Sequence, residues 1–112
     1  MKLIIAIVKP FKIPEITAAL EEVGVRRLSV SEVKGYGRQR GHTEIYKGTE
    51  YQVDFVPKSR LEIAVEDGEV EGAVRVIERA ARTDTIGDGK IFVLDLLQAV
   101  RIRTGERGPD AL

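Results

Sequence analysis

The segment Thr83-Asp84-Thr85-Ile86-Gly87-Asp88-Gly89-Lys90 places glycines, hydroxyls and one lysine just ahead of an apolar run. Glycines let backbone N–H groups converge on an anion and a lysine adds a point charge, so the segment suits phosphate. It is not a P-loop: the glycine spacing differs, no Ser or Thr follows Lys90, and a strand pattern follows in place of a helix. A plain tight turn before a strand is the alternative. Arg101-Ile102-Arg103 comes next. On a strand, residues two apart point the same way, so both guanidiniums would share a face and could grip phosphate through bidentate bonds. A basic edge strand that resists aggregation is the alternative there.

Gly35-Tyr36-Gly37-Arg38-Gln39-Arg40-Gly41-His42 is a third candidate. Arg40 stands where a dinucleotide fingerprint needs its third glycine, and no helical pattern follows, which removes that reading. Backbone amides of such a segment can hold an anion, and Gln39 offers a carbonyl oxygen to a hard cation such as Mg2+. A plain flexible hinge is the alternative. Tyr46-Lys47-Gly48-Thr49-Glu50-Tyr51 carries two tyrosines on a charged stretch, either exposed as contact or modification targets or folded back to pack locally. His42 is the only histidine and there is no cysteine, so a His-based metal site lacks partners within the chain. No Ser-His-Asp or Cys-His set can be assembled, and no residue stands out as a catalyst.

The elements that must position these residues follow from periodicity. Leu3 to Val8 is continuous and β-branched, the pattern of a strand buried on both faces. Ile13, Ile16, Leu20 and Val23 form a helical stripe, with Pro14 in its first turn and Gly24 just past its end. Val25 to Lys34 reads as a second strand. Gly35 to Pro57 keeps no period and is read as a long functional loop. Arg60 to Glu66 alternates with Leu61, Ile63 and Val65 inward. Val70, Val74, Ile77 and Ala81 make a second helical stripe; Ile91 to Leu96 is a fourth strand and Ala99 to Arg103 a short fifth. The polar tail from Thr104 is expected to be mobile. The order β-α-β, long loop, β-α-β is the split βαβ, ferredoxin-like α+β arrangement. It places both helices on one face of the sheet and leaves the other open to solvent, ligand or another subunit.

The chain has 112 residues, which fits one domain spanning 1–112. A domain of this size buries only about two-thirds of its unfolded surface, so oligomerisation is a natural supplement. Hydrophobic residues make up 43%, enough for a packed core. Lys and Arg number 18 and Asp and Glu 18, which argues against a general nucleic-acid coat. The absence of cysteine excludes disulfides and fits an intracellular location. The opening apolar run is too short for a signal peptide, and no stretch reaches the ~20 apolar residues of a membrane span, so the chain is expected to be soluble and cytoplasmic.

Taken in order, Lys9-Pro-Phe-Lys12, Gly35-Tyr-Gly-Arg-Gln-Arg-Gly-His42, Tyr46-Lys-Gly-Thr-Glu-Tyr51, Gly87-Asp-Gly-Lys-Ile-Phe92 and Arg101-Ile-Arg-Thr-Gly105 resemble the PII nitrogen-regulatory proteins. The resemblance covers almost the whole chain, and five motifs at matching spacing make it specific. It implies a ferredoxin-like domain assembled as a compact homotrimer, with ATP or ADP bound in clefts between subunits. It implies a flexible signalling loop over about 37–55, a nucleotide-binding turn over about 82–90 and a C-terminal tail over about 102–112. The nucleotide site would use Ser29, Gly35, Gly37, Arg38, Glu62, Ala64, Gly87, Asp88, Gly89, Lys90, Arg101 and Arg103, the last two and Lys90 on phosphates. A 2-oxoglutarate site would use Gly37, Gln39, Arg40, Gly41, Lys58 and Gly87, with Lys58 on a carboxylate. Gln39 would complete a Mg2+ site together with ATP and 2-oxoglutarate. Tyr51 matches the tyrosine that some members have uridylylated or adenylylated.

Two departures stand out. Asp84-Thr85 replaces the Gly-Lys expected after Thr83, and Thr49 stands where Ala or Ser is usual. The resemblance implies partners among an ammonium channel, where Lys47 would enter the channel mouth, a glutamine synthetase-modifying enzyme, a sensor kinase and N-acetylglutamate kinase. It implies a regulator and not an enzyme, whose loop population is shifted by its ligands. Two rival classes are weaker. Phosphoryl transfer lacks an acceptor base, and an RNA-recognition domain would set stacking aromatics on its central strands, where Leu3 to Val8 and Arg60 to Glu66 hold none.

Overall fold

Alternation along two strands builds the centre of the molecule. Ile4, Ala6 and Val8 from the first strand and Leu61, Ile63 and Val65 from a later one are buried on one face of the sheet. The computed structural model describes residues 1–36, 43–46, 49–52 and 55–112, with the backbone alone at 43–46 and 49–52. Its elements in chain order are β1 (Lys2–Val8), α1 (Ile13–Glu22), β2 (Leu28–Tyr36), β3 (Thr43–Tyr46), β4 (Thr49–Gln52), β5 (Phe55–Val65), α2 (Val70–Ala81) and β6 (Lys90–Asp95).

The main sheet has the order β2-β5-β1-β6, and each adjacent pair is antiparallel. The strands of each βαβ unit therefore run parallel with one strand of the other unit between them, which is the ferredoxin-like topology expected from the sequence. Ile16 and Leu20 of α1 and Ala73, Ile77 and Ala81 of α2 close the core over one face. Complete burial of a Leu or Ile side chain contributes about 1.5–3 kcal/mol, so these stripes fix both helices on the sheet. At the end of α1, Gly24 adopts φ +82° and the amides of Gly24 and Val25 donate to the carbonyls of Glu21 and Leu20. This Schellman closure needs a residue that tolerates the left-handed region, and it delivers Val25 into the core at 2% exposure.

Four expectations need correction. Leu3, Ile5 and Ile7 are half-buried, so β1 is buried fully on one face only; among the described residues no helix covers the other. Val23 is exposed, because the helix has ended by then. The second strand begins at Leu28 and not at Val25, whose amide is used to close the helix, and it runs on to Tyr36. The predicted structureless stretch is shortened from both sides. β5 starts at Phe55, and β3 and β4 pair as a separate antiparallel ribbon with Tyr46 opposite Thr49.

The fifth strand is also absent. Val100 makes a single isolated bridge with Arg107, and the chain then turns back, with Gly105 at φ +74° and Gly108 at φ +68°. The amide of Gly105 donates to the carbonyl of Arg101, and that of Gly108 to the carbonyl of Ala99. Glycines in the left-handed region close this turn where a strand would have to stay extended. The shared face argued for Arg101 and Arg103 from strand geometry therefore does not hold.

Candidate functional site

The register places six of the sequence-nominated residues on the uncovered face. Ser29 lies opposite Glu62, Glu62 opposite Ile5, and Ile5 opposite Phe92. One row over, Arg60 lies opposite Ile7 and Ile7 opposite Lys90; in the other direction Ala64 lies opposite Leu3. Paired residues and residues two apart along a strand share a face. Ser29, Gly35, Lys58, Glu62, Ala64 and Lys90 thus belong to the face opposite the helices, beside the apolar residues Leu3, Ile5, Ile7, Phe92 and Leu94. Arg60 pairs with Glu62 at 2.8 Å along the same strand. A Cβ at Gly35 would come within 3.1 Å of Lys58 Cγ, so a glycine there makes room for the lysine stem.

The turn between α2 and β6 is built by three cooperating features. First, it holds three left-handed residues: Asp84 at φ +61°, Gly87 at +96° and Gly89 at +101°. Aspartate is among the few side chains that tolerate this region. Second, Gly89 presses on β1, where a Cβ would overlap the carbonyl oxygen of Ile7. Third, the Asp88 carboxylate folds back into the turn. It accepts from the Thr83 hydroxyl, from the Thr83 amide at 2.8 Å and from the Asp84 amide at 3.0 Å. These bonds, led by that from the Thr83 hydroxyl, hold the carboxyl well below the usual carboxylate range.

Two lysines converge on this turn. Lys9, just beyond β1, donates from Nζ to the hydroxyls of Thr83 at 2.9 Å and Thr85 at 2.6 Å and pairs with Asp88 at 3.2 Å. Lys58 donates from Nζ to the carbonyl oxygen of Gly87. Burial pushes the Lys58 ammonium below its ordinary range, the charge of Lys9 adds to this, and Asp88 opposes it. A cleft of about 480 Å³ lies on the Lys58 side, lined by Pro10, Glu32, Val33, Lys34, Pro57 and Lys58. Two ammonium groups and a glycine-rich turn are thus brought together at the ends of the strands.

Arg101 and Arg103 part company. Arg101 is half-buried: its amide donates to the Glu106 carbonyl at 2.9 Å, its Nη2 donates to the Leu112 carbonyl at 2.8 Å, and its Nη1 lies 3.6 Å from the Glu106 carboxylate. Arg103 is exposed within the turn. Gly37, Arg38, Gln39, Arg40 and Gly41 lie outside the described residues. Tyr51 stands on β4 opposite Glu44. Sequence reading placed Thr85 in the glycine turn and Lys9 in a family motif, but did not bring the two together. They are 76 residues apart, and the one available signal was a lysine placed directly after an apolar strand and before a proline.

A ferredoxin-like domain with an uncovered sheet face and a glycine-rich turn tied to two lysines at the strand ends is the class these features define. The family model described as "Nitrogen regulatory protein P-II" matches residues 1–106. Relatives carrying that same description come from Cereibacter sphaeroides at 58% identity and from Rhodospirillum rubrum and Azospirillum brasilense at 56%, each over 112 residues and the full length of both chains. The chain belongs to the P-II nitrogen regulatory family.

Proposed function

We propose that this chain is a nitrogen-regulatory signal-transduction protein that senses ATP or ADP together with 2-oxoglutarate. The observation that carries the reading is the convergence of Lys9 and Lys58 on the turn Thr83 to Gly89. In the proposed complex, the amides around Gly87 and Gly89 and the ammonium of Lys90 meet the phosphates, with Arg101 and Arg103 supplying further charge. Asp88 takes part through its backbone, because its carboxylate is spent inside the turn. Ser29, Glu62 and Ala64 serve the nucleoside from the open face, with Gly35, Gly37 and Arg38 at the loop base.

Lys58 is proposed to hold a carboxylate of 2-oxoglutarate, exchanging the Gly87 carbonyl for a full negative charge. The bond is charge-assisted in either case, and a carboxylate adds the Coulomb attraction of a full opposite charge, which a carbonyl lacks. Gly37, Gln39, Arg40, Gly41 and Gly87 would complete the pocket. Mg2+ would arrive with the nucleotide and take the Gln39 carbonyl oxygen, a hard ligand suited to it. Among the described residues no three acidic, histidine or cysteine side chains gather into a metal cluster of their own.

Signalling then follows as a shift in loop population. Ligands that contact the loop base bias it only by their differential affinity for its states, and ADP, which lacks the γ-phosphate, selects a different set from ATP. The half-exposed apolar row Leu3, Ile5, Phe92 and Leu94 supports a homotrimer closed around the open face. Its targets would be an ammonium channel, a glutamine synthetase-modifying enzyme, a sensor kinase or N-acetylglutamate kinase, with Tyr51 as the nucleotidylation site. Among the described residues no helix is long and apolar enough to cross a membrane, and contact with one would run through a transporter. Equilibrium binding of ATP and ADP to the purified chain tests the reading; saturable binding of both is expected, and no binding of either overturns it.

A further inference from the structure

The turn before β6 is fastened to the body of the domain at several points, and these differ in kind. Gly89 is pressed on the Ile7 carbonyl, a contact within backbone that leaves no room for adjustment. Thr83 and Asp88 close the base of the turn on each other. The tip carries exposed groups, with the Asp84 side chain 86% exposed and Ile86 83% exposed. Between base and tip stands Thr85. Its hydroxyl lies 2.6 Å from Lys9 Nζ and 2.6 Å from the Thr83 hydroxyl, so one ammonium and two hydroxyls form a closed ring across the turn.

We propose that Thr85 is a positioning residue for the phosphate-binding turn: its hydroxyl clasps the tip to Lys9 and so sets the direction in which the amides around Gly87 and Gly89 point. This rests on the nucleotide reading above. Lys9 is the fixed end of the clasp, because it follows β1 directly and is also held by Asp88 at 3.2 Å. An ammonium has three donors, and the two threonine hydroxyls and the Asp88 carboxylate supply three acceptors for them. Without the Thr85 hydroxyl, Lys9 keeps its hold on the base and loses its hold on the tip. The stretch from Asp84 to Ile86 is then held only at its start, where the Asp84 amide donates to Asp88 at 3.0 Å, the Arg82 guanidinium lies 3.8 Å from the Asp84 carboxylate and Asp84 is left-handed.

The clasp also connects the two proposed ligands. The Lys58 ammonium feels the charge of Lys9 and itself holds Gly87. A ligand that draws Lys58 away from Gly87 leaves the turn dependent on Lys9 and Thr85 for its shape. Thr85 therefore matters more to a ligand that needs the amides aligned, a nucleotide triphosphate, than to the stability of the fold.

The test compares Thr85→Val, which keeps the shape and removes the hydroxyl, with Thr85→Ser, which restores it. The measurements are ATP affinity by calorimetry and the melting temperature of each variant. Loss of one charge-assisted hydrogen bond at a partly exposed site predicts ATP binding weaker by about three- to tenfold in Thr85→Val, within about twofold of the parent in Thr85→Ser, at unchanged melting temperature. ATP binding by Thr85→Val equal to or tighter than the parent overturns the inference, as does equal weakening in Thr85→Ser. If the parent itself binds no nucleotide, the reading of the site fails first, and that outcome is separate from either variant result.

Discussion

Lys9 and Asp88 form an ion pair at 3.2 Å that ties the end of β1 to the turn before β6. The carboxylate has the Thr83 hydroxyl and the amides of Thr83 and Asp84 as further donors. The same aspartate therefore shapes the turn and neutralises one of the two lysines that converge on it.

The pair makes a prediction about acid. The Asp88 carboxyl titrates below the ordinary aspartate value of 3.8 in the folded chain. A depressed folded-state value contributes stability that is present above the unfolded-state value and is lost as pH falls through the folded one. Melting temperature should thus decline as pH drops below about 4, and Asp88→Asn should flatten that decline while lowering the plateau at neutral pH. Parallel curves for the two proteins would show that Asp88 carries none of the acid dependence.

Gly89 offers a sharper structural test. A Cβ at that position overlaps the Ile7 carbonyl oxygen, and φ is +101°. Gly89→Ala has to move either the turn or β1 and is expected to cost about 3 kcal/mol, read as a shift in denaturant midpoint. A loss under about 0.5 kcal/mol, as for an ordinary surface change, would contradict the close approach.

Phe92 tests the proposed assembly. It is 48% exposed in the single chain and sits in the apolar row with Ile5 and Leu3. Phe92→Glu leaves the helix-side core untouched and places a charge on that face. The parent should run as a trimer in light scattering and the variant as a monomer with its secondary structure retained. A monomeric parent removes the trimer, and a trimeric variant removes this face from the interface.

The two arginines of the tail should behave differently. Arg103 is exposed, so Arg103→Ala should weaken ATP binding by about tenfold at unchanged melting temperature, the effect of losing one charged contact to phosphate. Arg101 also holds Glu106 and the Leu112 carbonyl, so Arg101→Ala should weaken ATP binding and loosen the tail, measured as faster amide exchange at Glu106 to Leu112. ATP affinity unchanged by Arg103→Ala removes that residue from the site.

Much of the fold was legible because it rests on period. Leu61, Ile63 and Val65 alternate and are buried, and the stripe Val70, Val74, Ile77 and Ala81 marks the face of α2 that packs on the sheet, with Ala73 buried beside it. Gly24 announced the end of α1 and closes it with φ +82°. The tail misled because Val100 and Ile102 alternate with arginines as a strand does, while Gly105 and Gly108, which turn the chain back, lie beyond that window. The β3–β4 ribbon was missed because each strand has only four residues, too few to declare a period. The turn was nominated from its glycines and Lys90. Its clasp was not, since Lys9, Thr83 and Thr85 meet only after β1 and β6 have paired, and contacts between distant positions leave no local pattern.

The central claim is that nucleotide and 2-oxoglutarate occupy one coupled site at this turn. Calorimetric titration of 2-oxoglutarate into the purified chain, with and without Mg-ATP, tests it most directly. Binding should be at least about tenfold tighter with Mg-ATP, because the phosphates, the cation and Lys58 complete the site together. The same affinity for 2-oxoglutarate in the presence and absence of Mg-ATP would contradict it.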